Sequence, residues 1–389
     1  MALFSLLIPP ALFAISSGIF LWLVQLPHGS RQLLFPLVLA TGVASLHASP
    51  RLAPITGANN LWGLLCCIWI LHATSVLLLD KLSIPRGAPP WTSAYKIWND
   101  LRRQIQWELG IPPPPSTGAS SRSWFLIRRL SKTLMCWLFQ LLILGPLVPG
   151  FFNFAASDFH PSKEILIRRL LFSNSGPPIS SREVHIRLFV SVYWIWIAYL
   201  MLDLCHVLLS ILFVVILRLD APEEWPSLFG SPLQAYSVRR FWARFWHRLT
   251  VPCCASTGRQ ITRSWLRIQP NSRAEKTFLA FWTFFLSGLC HAVADWQAGE
   301  FCRPTDDLFF FMVNFAAAAL ETFALPKIRK LLRRSQGHLL SRVLLSETGT
   351  RTIGFMWLLG VFFWSAPKWQ YAKLYSALES AEDISAWEV

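Results

Sequence analysis

Titratable side chains are scarce in the apolar stretches of this chain. Four places hold them: His72, the pair Asp203 and His206, Glu321, and His291 with Asp295. An ionisable group in apolar surroundings is costly, so each is by default a candidate for chemistry. His291 stands in FWTFFLSGLCHAVADW, residues 281–296, inside a run free of Asp, Glu, Lys and Arg from 277 to 294. Its neighbours Ser287, Gly288 and Ala292 are small, and small residues let another helix or a substrate approach closely. Two readings fit that position. One is a histidine hydrogen-bonded to a neighbouring helix. The other is a general base, because an imidazole of pKa about 6.5 can take a proton at neutral pH, and an apolar setting favours its uncharged form. Asp295, one helical turn later, either orients the imidazole or is a helix-end charge near the headgroups. Asp203 and His206 share a face at i and i+3, with no third ligand in sight for a metal, so none is expected.

The second constellation is SVRRFWARFWHRL, residues 237–249. Drawn as a helix at about 100° per residue, Val238, Phe241, Trp242, Phe245, Trp246 and Leu249 fall on one arc. Arg240, Arg244, Arg248 and His247 fall on the other. Such a helix can lie in the headgroup region as a basic membrane-surface element, or its arginines can hold a phosphate-bearing cosubstrate.

Composition says what must position these residues. Of 389 residues, 53% are hydrophobic and 15% charged, with a mean hydropathy of +0.42. Soluble domains carry about 25% charged residues, so the chain lacks the polar surface of a water-soluble globule and reads as a polytopic membrane protein. The 20 Trp and 29 Phe suit bilayer interfaces and apolar interiors. A net charge of +15 does not point to nucleic acid, because the basic residues sit in short loops between apolar runs. The eight Cys form no C-x-x-C motif and read as buried thiols.

Apolar runs cover residues 2–26, 33–46, 61–79, 134–152, 188–217, 278–294, 308–325 and 353–367. About 20 residues cross a bilayer core, so about eight spans are expected. The second and last are short, and 188–217 is long enough to tilt or to break near Asp203. The first run lacks a basic flank and carries Pro9-Pro10, so it is expected to stay as a membrane helix rather than a cleaved leader. Three basic stretches set the orientation: 80–132, with its Pro run 112–115, then 239–276 and 327–342. They are expected on the cytosolic side, with both termini opposite. Residues 158–187 disobey, since a stretch expected on the far side carries Lys163, Arg168, Arg169, Arg182 and Arg187; its residues 165–172 alternate charge and apolar side chains as an interfacial helix does.

Three motifs then stand in order: Trp225-Pro226-Ser227-Leu228-Phe229-Gly230, Ser237-x-Arg239-x-Phe241-Trp242-x-Arg244-x-Trp246-His247, and Phe285-Leu286-Ser287-Gly288-Leu289-Cys290-His291. Together they resemble the wax synthase-like branch of the membrane-bound O-acyltransferase superfamily, in particular its fungal members that acetylate terpenoid and meroterpenoid natural products. The resemblance implies one all-α integral-membrane domain over 1–389, with about eight helices around an intramembrane chamber. Residues 80–132 would form a cytosolic Pro-containing loop, 218–276 a basic cytosolic loop with the interfacial helix, and 278–296 the catalytic span. It implies acyl transfer from acyl-CoA, most simply acetyl-CoA as cosubstrate with no permanently bound cofactor, to a lipophilic alcohol in the endoplasmic reticulum. His291 would be the general base. His247, where many relatives carry Asn, would donate to the developing oxyanion or hold the thioester. Arg239, Arg240, Arg244 and Trp246 would face the CoA. Cys290 adjoins His291, but neighbouring helical residues diverge by about 100° and do not form a nucleophile–base pair, so direct transfer is expected.

Other readings remain on the residues alone. A long-chain wax-ester or sterol acyltransferase differs only in its acyl pocket. A transporter with His291 and Asp203 on a proton path predicts paired broken helices in two related halves, and the run spacing contains no such duplication. A scaffold protein predicts tolerance of His291→Ala.

Overall fold

Residues 2–55, 57–80, 90–99, 121–172, 174, 176–299, 303–334 and 344–387 are described by a computed structural model, and among them secondary structure is helical with no strand. The Pro run 112–115 lies outside the described residues. In chain order the principal helices are α1 (Ile8–Leu23), α2 (His28–His47), α3 (Ala58–Thr74), α4 (Arg122–Phe139), α5 (Ser181–Ser210), α6 (Val251–Gln260), α7 (Arg273–Gln297), α8 (Pro304–Arg334) and α9 (Glu347–Trp387).

Among the described residues, six helical segments are long and apolar enough to cross a membrane: Phe4–Leu23, Ala58–Leu79, Arg122–Phe152, Ser181–Ile216, Arg273–Gln297 and Thr305–Ile328. The other two expected spans fall within α2 and α9, which are long enough at 20 and 41 residues. Their apolar stretches are diluted by Arg31, Gln32 and Thr41 in α2 and by Ser365, Pro367 and Lys368 in α9. The long run at 188–217 neither starts nor breaks where hydropathy suggests. α5 begins at Ser181, capped by the Ser180 hydroxyl, runs unbroken past Asp203, and relaxes into a π-helical turn only over Ile211–Ile216.

The chain forms two units, Met1–Ile111 with Arg248–Phe315, and Pro112–His247 with Ala316–Val389. In the first, α1, α2 and α3 pack around Phe20, Leu23, Val38, Trp69 and Leu77. Its buried hydroxyls are satisfied between helices: Ser16 Oγ donates to the Val38 carbonyl at 3.0 Å and accepts from Trp69 Nε1 at 2.9 Å. Such bonds matter where no water is available as a partner.

In the second unit, α5 packs against α9 around Phe159, Ile186, Val190 and Tyr371. Here the disobedient stretch finds its explanation. Arg169 grips Glu183 with two hydrogen bonds, at 2.7 and 2.8 Å, and Arg187 reaches the same carboxylate at 3.3 Å. Arg182 pairs with Asp158 at 2.6 Å. Arg169 and Arg187 are therefore buried, internally paired cations and not loop charges reporting an orientation. The helix expected over 165–172 is present as Leu166–Leu171, with Arg169 turned inward and Leu170, Leu171 and Phe172 exposed.

Candidate active site

His291 is held on α7, whose start is fixed by Ser272 Oγ accepting from the Glu275 N–H at 3.1 Å and by Glu275 pairing with Arg263 at 2.7 Å. Two close approaches then set the rotation of α7 about its axis. At Gly288 there is no side chain, and a Cβ there would lie 3.0 Å from the Leu308 Cα of α8. At Ala294 the partner is Gly63 of α3, where an added Cβ would meet the Ala294 Cβ at 3.0 Å. At about 100° per residue, Ala294 lies roughly 240° round from Gly288 and His291 roughly 300° round, so the imidazole is aimed between the α3 and α8 contacts. Its ring lies 5.0 Å from that of Phe311 on α8, inclined at 31°. It is half-buried, and Cys290 beside it is buried.

Asp295 is buried and accepts a hydrogen bond from Asn60 Nδ2 of α3 at 3.1 Å. This carboxylate is thus an α3–α7 link as well as a helix-end charge. Ser287, one turn before His291, lies 3.5 Å from the Thr250 hydroxyl. Neither Asn60 nor Phe311 carries a signal in the sequence that sets it apart. Asn60 precedes an apolar run as ordinary helix-start polarity does, and Phe311 is one of many Phe. His72 is buried among Phe20 and Trp69, at ring separations of 5.7 and 6.0 Å, within the first unit's core.

His291 belongs to the first unit, whereas His247 and the three arginines belong to the second. There Trp225 is held on several sides. Asp220 accepts from its indole N–H at 3.0 Å, Arg129 donates to its carbonyl and, at 3.3 Å, to that of Pro226, and the His206 ring lies 5.3 Å away. Gly230 closes the motif by donating to the Phe245 carbonyl at 2.9 Å, and a Cβ there would collide with the Arg244 carbonyl. Asp203, the neighbour of His206 on α5, pairs with Lys132 at 2.8 Å. The structure gives both groups packing roles.

The segment 237–249 is not one amphipathic helix. It forms a turn at Val238–Arg240, continues as a π-helical turn over Phe241–Phe245, and leaves the helix at Trp246, which is extended at φ −68°, ψ 149°. Its apolar residues do not lie out in headgroups. Val238, Phe241, Phe245 and Trp246 are buried, with Trp194 5.3 Å from Trp246 and Phe362 5.0 Å from Phe241. Cross-contacts to bulky rings won over the simple helical period because this segment packs against α5 and α9. His247 consequently follows the helix, its half-buried ring set edge-on to Phe229 at 5.9 Å. Arg239 and Arg244 are exposed. Arg240 lies over the Tyr236 ring at 4.2 Å and donates from Nε to the Gln234 carbonyl at 3.0 Å.

What anchors this segment is Glu321, a buried carboxylate on α8. Its Oε1 accepts from the Val238 N–H at 2.7 Å and from Trp357 Nε1 at 2.9 Å, and its Oε2 accepts from the Arg239 N–H at 2.9 Å. Ser237 Oγ takes the Arg240 N–H at 3.2 Å. The first N–H groups of the turn, which have no partner within a helix, are thereby filled. Among the described residues no cluster of three His, Cys, Asp or Glu side chains is arranged to hold a metal ion.

Residues 225–313 match the Membrane bound O-acyl transferase family. That region contains all three motifs and both histidines. The chain is 30% identical over 148 residues to acetyltransferase ple2 of Rhodocybe pseudopiperita, covering 38% of this chain and 36% of that protein. It is 29% identical over 256 residues to acetyltransferase aurG of Calcarisporium arbuscula, covering 65% and 58%. To acetyltransferase eriL of Hericium erinaceus it is 23% identical over 384 residues, covering 92% and 88%. The matches thus span about a third and somewhat over half of the first two relatives. No solved structure matches the chain. The likeness to the Membrane bound O-acyl transferase family thus covers residues 225–313 of a chain whose apolar helices are those of a multi-pass membrane protein.

Proposed function

We propose that this protein transfers an acetyl group from acetyl-CoA to a hydroxyl of a lipophilic terpenoid or meroterpenoid, with His291 as general base. The observation that carries this reading is the family match over 225–313, which takes in the small-residue span around His291, together with relatives named as acetyltransferases. In the proposed reaction the imidazole takes the hydroxyl proton as the oxygen attacks the thioester carbonyl. The tetrahedral intermediate then collapses, the C–S bond breaks, and the imidazolium returns its proton to the departing CoA sulfur. An ester and free CoA leave. Half-burial suits the base, since water is thinned around the ring while one side stays accessible to reactants.

His247 is proposed to donate to the carbonyl oxygen or to hold the thioester, and Arg239, Arg240 and Arg244 to meet the CoA phosphates through charge-assisted hydrogen bonds. Trp246, buried among rings, is proposed to keep that segment in place beside the cosubstrate. The acceptor partitions into a bilayer while CoA stays in water on the cytosolic side, which fits an enzyme of the endoplasmic reticulum. The test is expression in microsomes with labelled acetyl-CoA and a panel of terpenoid alcohols, read by mass spectrometry. Acetylated product from at least one alcohol supports the reading. Long-chain esters formed in preference to acetates, or no ester from any acyl-CoA, would refute it.

A further inference from the structure

Arg240 is not the only cation on Tyr236. The guanidinium of Arg351, from the first turns of α9, lies 5.6 Å from the same ring centroid that Arg240 approaches at 4.2 Å. Two like charges from separate elements are therefore held at one half-buried ring. Each can stack its face on the ring and keep N–H edges for an acceptor. The carboxylate facing Arg351 is Glu347, at 2.6 Å, but it lies one turn away on the same helix and its side chain is 78% exposed. Such a surface pair contributes little and yields readily to a better acceptor.

The support beneath the pair is rigid. Gly354, one turn after Arg351, lets the Tyr236 carbonyl lie so close to α9 that a Cβ would collide with it. One turn further on, Trp357 donates to Glu321, the carboxylate that also holds the Val238 and Arg239 N–H groups. Arg240 is tied by Nε to the Gln234 carbonyl. The segment 234–240 and the start of α9 thus share fixed contacts, and Arg239 stands exposed beside them. In sequence, Arg351 lies between the basic stretch 327–342 and the apolar run 353–367, at the end of α9 expected to meet the cytosol. It also lies outside the region that matches the family, 225–313.

We propose that Arg240 and Arg351, seated on Tyr236, form a phosphate-binding site that takes a phosphate of the acyl-CoA. Phosphate fits because its oxygens accept the paired N–H bonds that a guanidinium fork offers. An anionic lipid headgroup presents the same chemistry, so the experiment must separate the two. The assignment to CoA rests on the acetyltransferase reading above.

The test uses the full chain in nanodiscs, with Arg351→Gln and the conservative Arg351→Lys. Binding of labelled CoA by equilibrium dialysis needs no turnover, and Arg351→Gln is expected to weaken it about tenfold, the loss of one charge-assisted pair, with Lys restoring part. In turnover, Arg351→Gln should raise the apparent KM for acetyl-CoA by a similar factor and leave kcat and the acceptor KM within twofold. It should match wild type on acetyl-pantetheine, which has no phosphate. Equal impairment on acetyl-pantetheine would overturn the site in favour of a packing role. Unchanged CoA binding with loss of stimulation by phosphatidylserine would overturn it in favour of a lipid. A wild-type protein that binds CoA through Arg351 but transfers no acetyl group would refute the acetyltransferase reading and leave the phosphate site standing.

Discussion

The four ionisable places in the apolar stretches divide once their surroundings are known. His72 sits within ring packing, Asp203 neutralises Lys132, and Glu321 fills the N–H groups of Val238 and Arg239. His291 alone of the four is aimed by two glycine contacts while remaining half-buried. Position in a hydropathy profile could nominate all of them, but only contacts from distant chain segments could sort them. Glu321 makes the point: its partners lie more than eighty residues before it and thirty-six after it. Its role leads to a prediction. A Gln side chain has one acceptor oxygen in place of two, so Glu321→Gln leaves one of the two N–H groups facing a donor. It should raise the apparent KM for acetyl-CoA about three- to tenfold while the pH dependence of kcat is unchanged, because the side chain holds the Val238 and Arg239 N–H groups in place and takes no proton from the reactants. Steady-state kinetics from pH 6 to 9 check this, and a shifted pH profile would point to proton transfer instead. Asp295→Asn keeps a hydrogen-bonding side chain toward Asn60, and purified protein should stay folded with kcat reduced by less than about tenfold.

At the level of elements, the sequence located helices well and their ends poorly. Apolar runs mark the spans, yet α5 begins seven residues before its run because Ser180, Glu183 and Arg187 enter the helix through a cap and a buried ion network. The segment 237–249 shows the opposite error: a clean helical period stops at Phe245 because bulky rings pack across elements. Two substitutions probe these devices. Gly230→Ala puts a methyl against the Arg244 carbonyl and is expected to cost about 1–3 kcal/mol, seen as a lower melting temperature in detergent. Arg169→Met leaves Glu183 with one remaining partner and should cost about 3–5 kcal/mol, whereas a solvated surface ion pair would cost under about 1 kcal/mol.

For the whole molecule, hydropathy and charge were enough to read a multi-pass helical membrane protein, because lipid imposes helices on the chain regardless of detail. Counting charges over 158–187 does not report an orientation, because Arg169 and Arg187 pair inside the protein with Glu183. The neighbouring pair of Arg182 and Asp158 has a pH signature. Burial by itself raises the Asp158 carboxyl, but hydrogen bonds from Arg182 and the Ala155 N–H, with the charges of Arg182 and Lys163, hold it below its ordinary 3.8. A lowered folded-state value means that the stabilisation is complete above the ordinary value and is lost as pH falls through the folded one. Melting curves should therefore show wild type more stable than Asp158→Asn at pH 6, with the gap closing below pH 3.8. The central claim is catalytic, and single-turnover acetyl transfer by purified His291→Ala tests it most directly, alongside a melting curve and CoA binding. With fold and binding retained, transfer is predicted to drop by about 100-fold or more relative to wild type. Transfer at near wild-type rate by folded His291→Ala would contradict it.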